Sequence, residues 1–276
     1  MQKSFTSNLA EGIKHQFSKI SKAFNDEDHG LSFFKLKYLK HLPKGDEIRT
    51  LQTKFGNIHF TSAPDLYHSL EEIFSDKIYR QTLPPNSYIL DCGSNIGLSV
   101  LYLKSICPTA IIEAFEPDAA NFSLLKRNIE SNGLTGVTLN QKAIWKENTT
   151  LIFENKGTLA SKLDVNASNG TEVETARLRD YINKEVDFLK IDIEGAEYPV
   201  MQDIEDKLYL VKTMFLEYHG TFDQNNELIN MLNMLNKAGF KFYIREADPT
   251  YKTPFHRPHD GDTKVYDIQL NIFCFR

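Results

Sequence analysis

Apolar residues near the start of the chain recur at every third or fourth position, which is the spacing of one face of an α-helix. Two such stripes are present, and a polar stretch over residues 25–30 separates them. The stripes consist of Leu9, Ile13, Phe17, Ile20 and Phe24, and of Leu31, Phe34, Tyr38 and Leu42. The pattern therefore predicts two helices before Pro43.

A β-hairpin is predicted next, over residues 50–60. Strand-forming side chains flank Gly56 and Asn57, a pair that suits a two-residue turn with positive φ angles. We therefore expect residues 1–60 to form a helical extension that ends in this hairpin. Residues 61–276 are expected to form the main domain.

From residue 88 onward, short apolar runs alternate with helical stripes. Such alternation is typical of a parallel sheet that helices cover on both faces. The last two runs have no helical pattern between them, which predicts an antiparallel final strand. Strand-like alternation at about residues 149–175 predicts a hairpin insertion. The expected fold class is α/β, a doubly wound, mostly parallel sheet of seven strands at residues 88–90, 110–115, 137–144, 186–191, 213–218, 240–245 and 268–275.

Composition is that of an ordinary globular protein, since 41% of the 276 residues are hydrophobic and 25% are charged. The net charge of −5 argues against a large electrostatic footprint on nucleic acid, so we expect no such partner. The N-terminus lacks the apolar segment of a secretion signal, and no stretch approaches the roughly 20 apolar residues that span a bilayer. Three cysteines without a CxxC pair favour a reducing compartment. Together these features predict a cytoplasmic protein without a membrane span.

The loop after the first predicted strand has the composition of a ligand-binding turn, Asp91-Cys-Gly-Ser-Asn-Ile-Gly97. In an open α/β sheet, ligands bind beyond the carboxyl ends of the strands. Gly93 and Gly97 let the backbone turn tightly and approach a ligand closely. The N-terminus of the following helix favours a carboxylate. Asp91 suits a cationic group such as an α-ammonium.

Three cofactor classes are compatible with a glycine-rich loop, and the neighbouring residues separate them. A dinucleotide site requires glycine at the position of Asn95, and a phosphate-binding loop requires a Gly-Lys-Ser/Thr sequence that does not follow here. Ser94 and Asn95 can instead add side-chain hydrogen bonds. Glu116, at the end of the second predicted strand, can accept both ribose hydroxyls, and Pro117 fixes the turn after it. The combination favours S-adenosylmethionine (SAM).

Three segments together resemble the FkbM family of methyltransferases: the loop from Asp91 to Gly97, Ala114-Phe-Glu-Pro117, and Phe188-Leu-Lys-Ile-Asp-Ile-Glu-Gly-Ala-Glu197. The similarity extends from about Pro84 to Gly239. Cys92 and Ser94 stand where the family usually has Val and Ala, and both are small enough for a tight loop. The resemblance implies a class I, Rossmann-like fold, SAM as cofactor, and O-methylation of a hydroxyl on a sugar, glycolipid or polyketide-like product. By family position, Ala143 would lie beside the adenine.

Ionisable residues that follow the fourth and fifth strands are the candidates for catalysis: Asp192, Glu194, Glu217 and His219. Asp192 lies where this fold commonly contacts the methionine moiety or the acceptor. Glu217 and His219 point to the same side of an extended strand, and a histidine titrates near neutrality, as a general base should. The same four residues could form an oxygen-rich site for a divalent cation. Their spacing permits this but does not require it, so we assign no metal ligands.

Two alternative functions stay open. A nucleic-acid methyltransferase usually carries an Asn/Asp-Pro-Pro-aromatic motif where this chain has Asp-Ile-Glu-Gly. A SAM-binding module without catalysis would not need the cluster of ionisable residues. We expect a small-molecule or glycan acceptor. For the helices before residue 42, we leave open an active-site cap, a homodimer contact and a part of the core.

Overall fold

The computed structural model describes residues 30–31, 33–43, 45, 47–154, 162–163, 171–247, 251, 253–255 and 266–276. The helix predicted over residues 9–24 lies outside them. The chain consists of two compact units, with the boundary between Arg80 and Gln81. Within the described residues, no helix is long and apolar enough to cross a membrane.

The described residues of the first unit form two helices and a hairpin. Its elements are α1 (Phe33–His41), β1 (Arg49–Thr53), β2 (Gly56–Phe60) and α2 (Ala63–Leu70), which continues as a π-helical turn (Glu71–Ser75). This division groups α2 with the hairpin, whereas the sequence pattern groups it with the following domain.

The hairpin is present, but its predicted turn at Gly56 and Asn57 is wrong. Thr53 pairs with Gly56, so the two turn residues are Lys54 and Phe55. This register places Leu51 opposite Ile58, and both side chains are buried. Burial of one face determines the register of a strand pair, and here it outweighs the preference of glycine for the turn.

The second unit is the α/β domain. Its strands are β3 (Tyr88–Cys92), β4 (Ile111–Phe115), β5 (Val137–Asn140), β6 (Ala143–Trp145), β7 (Thr150–Glu154), β8 (Lys162–Leu163), β9 (Thr171–Arg177), β10 (Val186–Ile191), β11 (Val211–Gly220), β12 (Lys241–Glu246) and β13 (Ile268–Phe275). Its helices are α3 (Leu98–Ile106), α4 (Ala119–Ser131), α5 (Leu178–Tyr181), α6 (Glu197–Ile204) and α7 (Asn225–Lys237). A 3-10 helix (Glu205–Leu210) follows α6, and another (Phe222–Gln224) precedes α7.

Seven strands form the main sheet in the order β12-β13-β11-β10-β3-β4-β5. The final strand, β13, runs antiparallel between β11 and β12, as predicted, and the other pairings in this sheet are parallel. The chain builds outward from β3 to β5 and then crosses to β10 on the other side of β3. The carboxyl ends of β3 and β10 therefore meet at the switch point where open α/β sheets bind ligands.

The third predicted strand, residues 137–144, is divided in the structure. β5 ends at Asn140, whose side-chain amide donates to Glu113 Oε2 at 3.1 Å and to the Ala114 carbonyl at 3.4 Å. The polar pair at 141–142 follows, and Ala143 begins β6 in a second sheet of order β6-β9-β7-β8. In that sheet β7 and β9 pair antiparallel over the predicted insertion. Apolar content on both sides of the break hides it from the sequence pattern.

Gly93, just after β3, occupies a position that has no room for a side chain. Its φ angle is +86°, and a Cβ atom there would lie 1.8 Å from the Asp192 carbonyl oxygen. The loop after β3 and the chain leaving β10 are thus in direct contact. Gly133 also has a positive φ, +60°, but a Cβ atom there would meet nothing within 4 Å.

We expect Gly93→Ala to lower the free energy of unfolding by about 3 kcal/mol or more, because the methyl group forces the two main chains apart. The matched control Gly133→Ala introduces only left-handed backbone strain and should cost about 1–2 kcal/mol. Urea denaturation of both variants measures the difference. Equal losses in the two variants would contradict the close packing at Gly93.

Candidate active site

The loop from Asp91 to Gly97 is held by its own backbone and by the end of β4. The amides of Gly93 and Ser94 both donate to the Phe115 carbonyl, at 3.0 and 2.8 Å, and the Gly97 amide donates to the Ser94 carbonyl at 2.8 Å. The Ser94 hydroxyl donates to the Asp91 carbonyl at 3.0 Å. The side chain of Ser94 therefore makes a hydrogen bond within the loop. The predicted cofactor contacts of Ser94 and Asn95 stay predictions.

Asp91 is fully buried, and the structure provides it with a cationic partner from the protein. Ser99 Oγ donates to Asp91 Oδ2 at 2.5 Å, and Lys190 Nζ lies 3.5 Å from Asp91 Oδ1. Lys190 and Asp91 are register partners on adjacent strands, so their side chains share one face of the sheet. The partner of Asp91 is thus Lys190, which is not among the predicted site residues, and the predicted contact with a cofactor ammonium stays a prediction.

Lys190 connects the cofactor loop to the residues that follow β10. Its ammonium donates to the Gly93 carbonyl at 2.7 Å and forms an ion pair with Asp192 Oδ2 at 3.1 Å. A lysine at a fully buried position of a parallel strand is rare. That anomaly within Val186–Ile191 was the signal in the sequence that could have identified it.

Glu116 lies beside the loop, as the sequence predicts. Its two carboxylate oxygens accept the backbone amides of Asn95, at 2.9 Å, and Asp118, at 3.0 Å. Burial raises the pKa of Glu116 to about 7. A carboxylate has about four acceptor positions, so further hydrogen bonds to this group are feasible. Pro117 follows directly, and the Asp118 side chain caps α4 by accepting the Asn121 amide at 2.8 Å.

Two other predicted cofactor residues have side chains that are buried. Cys92 is the last residue of β3 and belongs to the hydrophobic core, where burial raises the pKa of its thiol. Its carbonyl accepts the Asp192 amide at 3.1 Å. Ala143 starts β6 in the smaller sheet and so does not end the third strand of the main sheet. Its proposed place beside the adenine stays a prediction.

The four predicted catalytic residues come together at the ends of β10 and β11. His219 Nε2 lies 3.5 Å from Glu217 Oε1 and 3.7 Å from Glu194 Oε2. Asp192, Glu194 and His219 each have one oxygen or nitrogen atom that could bind a metal, and these three atoms lie within 4.8 Å of one another. Asp192 also bears the ion pair to Lys190, so this cluster adjoins the cofactor loop.

Glu197 supports His219 from behind. Its Oε1 lies 3.0 Å from His219 Nδ1 and accepts the Gly195 amide at 3.0 Å. Burial acts to lower the pKa of His219, but hydrogen bonds to Glu197 and Glu217 and the charges of Glu197 and Glu194 outweigh it and raise that pKa well above its usual value. The sequence analysis had not linked Glu197, which begins α6, to His219.

The surroundings of Glu194 and Glu217 disfavour the charged form of both carboxyl groups. Burial raises the pKa of Glu194 to about 8, although His219 opposes the shift, and Asp192 adds to it. The pKa of Glu217 is also raised, by burial and then by the charge of Asp192. Glu194 and Glu217 therefore hold protons more readily than exposed carboxyl groups do.

Tyr266 is a further member of the site that sequence patterns did not indicate. Its hydroxyl donates to the Glu194 carbonyl at 2.6 Å, and its ring centroid lies 5.0 Å from that of His219. Glu194 has a φ angle of +56°, and Gly195 one of +94°. Left-handed backbone at a non-glycine residue costs energy and is concentrated at functional sites. Tyr266 helps to hold that conformation.

Comparisons with known proteins agree with the motifs. The family described as the methyltransferase FkbM domain matches residues 91–242. Methyltransferase 1 of Beauveria bassiana (strain ARSEF 2860) is 30% identical over 207 residues, which cover 64% of this chain and 82% of that protein. The 31-O-demethyl-FK506 methyltransferase FkbM of Streptomyces tacrolimicus is 26% identical over 247 residues, which cover 75% of this chain and 94% of that protein.

Solved structures include a methyltransferase FkbM from Methylobacillus flagellatus KT, which is similar to this chain at 15% identity with a TM-score of 0.44. That similarity covers 86% of this chain and 57% of the other. The family match spans more than half of the sequence, so the similarity inferred from the three motifs is confirmed. The chain belongs to the FkbM family of methyltransferases, and S-adenosylmethionine is its cofactor.

Proposed function

We propose that this methyltransferase transfers the methyl group to a hydroxyl oxygen of a small-molecule or glycan acceptor. The observation that carries the proposal is the group of carboxylates beside the cofactor loop. Asp192, Glu194 and Glu217 lie at the ends of β10 and β11, and Lys190 links Asp192 to Gly93. A hydroxyl acceptor needs a nearby group that takes its proton, and these side chains provide one.

The described residues fit the cofactor. The carboxylate of Glu116 keeps acceptor positions that suit the two ribose hydroxyls, next to the amide of Asn95. The N-terminus of α3, at Leu98, offers backbone amides that favour the methionine carboxylate. Asp91 is paired with Lys190, so its part in binding the methionine end would be to hold the loop backbone in place.

When bound, SAM supplies an electrophilic methyl group for an in-line displacement. The protein must place the acceptor oxygen about 3 Å from that carbon and accept its proton. The side chains of Asp192, Glu194 and Glu217 are 27%, 29% and 16% exposed, whereas that of His219 is only 3% exposed. We therefore assign direct contact with the acceptor to the carboxylates, and to His219 the orientation of Glu217 and Glu194.

The Streptomyces relative supports oxygen as the target atom, because it is named as a 31-O-demethyl-FK506 methyltransferase. The carboxylates are also suited to neutral, hydroxyl-rich molecules such as sugars, glycolipids and polyketide-like products. A phosphate-rich acceptor would meet like charge at the same place, which argues against a nucleic acid.

Glu116→Ala should weaken SAM binding by about 1–3 kcal/mol, since it removes the acceptors for the ribose hydroxyls. Isothermal titration calorimetry with SAM measures this, and Glu130→Ala, an exposed residue of α4, is the charge-matched control. A second ligand separates ribose contact from loop damage. An S-adenosylhomocysteine analogue without 2′ and 3′ hydroxyls should bind wild type and Glu116→Ala equally well. If the variant loses affinity for both ligands alike, Glu116 does not bind the ribose.

Methyl transfer itself is tested with radiolabelled SAM and a panel of sugars, polyhydroxylated macrolides and RNA. We expect label on hydroxyl oxygens of small molecules, located by mass spectrometry. Glu217→Gln should lower kcat about 100-fold or more while SAM affinity is kept, because it removes a proton acceptor. The exposed Glu246→Gln is the control and should retain full activity. Label in RNA alone, or unchanged turnover in Glu217→Gln, would contradict this assignment.

A further inference from the structure

We propose that Asp192, Glu194 and His219 bind a divalent metal ion, and that the acceptor hydroxyl completes its coordination. The second half of this statement rests on the proposed O-methyl transfer, whereas the metal site does not. Each of the three residues offers one ligand atom, and these atoms all lie within 4.8 Å of one another. Two carboxylates and an imidazole form a ligand set that suits ions such as Mn²⁺.

His219 has the orientation of a metal ligand. Its side chain is buried, and Nδ1 is 3.0 Å from Glu197 Oε1, so Nε2 points towards Glu194 and Glu217. In metal-binding histidines, the N–H group of the other ring nitrogen usually donates a hydrogen bond, for example to a carboxylate. This hydrogen bond fixes the tautomer and the ring plane. Glu197 is itself fixed, since it also accepts the Gly195 amide.

Glu194 gives an independent indication. Its Oε2 is buried and has no hydrogen-bond partner among the described residues. A buried carboxylate oxygen without a partner is costly, and such atoms commonly mark an absent ion or water. The atom is 3.7 Å from His219 Nε2. This separation is too long for a hydrogen bond, but it is short enough for one metal ion to lie about 2.1 Å from both atoms.

The charge balance of the cluster also favours a cation. Four carboxylates, Asp192, Glu194, Glu197 and Glu217, surround His219 or lie beside it. Lys190 compensates one of them through its ion pair with Asp192 Oδ2 at 3.1 Å. A divalent ion bound among the carboxylates would offset part of the negative charge that Lys190 leaves uncompensated.

The site leaves room for a bidentate acceptor. Three protein ligands occupy half of a six-coordinate shell, so about three positions remain for water or substrate. An acceptor with two neighbouring oxygens, such as a vicinal diol or an α-hydroxy acid, could chelate the ion with both. The metal would orient the acceptor and lower the pKa of the hydroxyl that receives the methyl group.

Electron paramagnetic resonance of Mn²⁺ tests the site without any methyl transfer. The full chain is freed of metal with EDTA, exchanged into buffer and titrated with Mn²⁺ alone. We expect one bound Mn²⁺ per chain. Asp192→Asn and His219→Gln should each weaken Mn²⁺ binding at least tenfold, and Glu197→Gln about 10–100-fold through misorientation of the imidazole. Glu130→Gln, on the surface of α4, should bind Mn²⁺ as wild type does.

Absence of Mn²⁺ binding by wild type, or equal binding by folded His219→Gln, would overturn the metal site. Thermal unfolding of each variant shows whether it is folded. SAM titration and methyl transfer in EDTA keep the two proposals distinguishable. Methyl transfer to a hydroxyl that persists fully in EDTA would refute coordination of the acceptor by the metal while leaving the proposed function intact. Mn²⁺ binding at these residues without hydroxyl methylation would support the metal site and refute the proposed function.

Discussion

The ammonium group of Lys190, buried in the main sheet, is the constraint on which the rest of the site depends. A charge in this environment is tolerated only when it is paired and hydrogen-bonded. Lys190 meets both conditions by contacting Asp91, the Gly93 carbonyl and Asp192. Its partners come from the end of β3 and from the residues after β10. The charge therefore fixes these two chain segments relative to each other.

This arrangement divides the site into two parts that share one boundary. On the β3 side, backbone hydrogen bonds to Phe115 and the carboxylate of Glu116 shape the cofactor loop. On the other side, the carboxylate cluster is organised around His219, which Glu197 orients. Gly93 allows the two sides to touch, since any Cβ there would overlap the Asp192 carbonyl. The loop from Asp91 to Gly97 and the carboxylate cluster are therefore in direct contact.

Sequence patterns were sufficient for the parts of the fold that local periodicity determines. The seven strands of the main sheet and the antiparallel final strand follow from apolar runs and the breaks between them. The hairpin turn was predicted two residues too late, because pairing of Leu51 with Ile58 determined the register. Periodicity also missed the break after β5, since Ala143 and Ile144 are as apolar as the strand before them.

The residues of the site that sequence analysis missed act through distant partners. Lys190 and Gly93 are 97 positions apart, and Tyr266 and Glu194 are 72 apart. Glu197 was recognisable as an acid at a helix start, but its contact with His219 depends on how α6 lies against β11. Asp192 and Glu194 could be found because a family motif contains them, and Glu217 and His219 because they lie at the end of the next predicted strand. Which of these side chains contact one another could be read only from the three-dimensional structure.

Lys190→Met is the most direct test of this account, with SAM affinity measured by calorimetry on the folded variant. Loss of a buried ion-pair partner should cost about 3–5 kcal/mol of stability and should weaken SAM binding, since Asp91 and Gly93 lose their link to Asp192. Lys104→Met is the matched control, because that lysine is also buried but donates to the carbonyls of Pro108 and Ala110. It should lower stability and leave SAM affinity unchanged. A Lys190→Met protein that binds SAM as tightly as wild type would contradict the central role of this ammonium group.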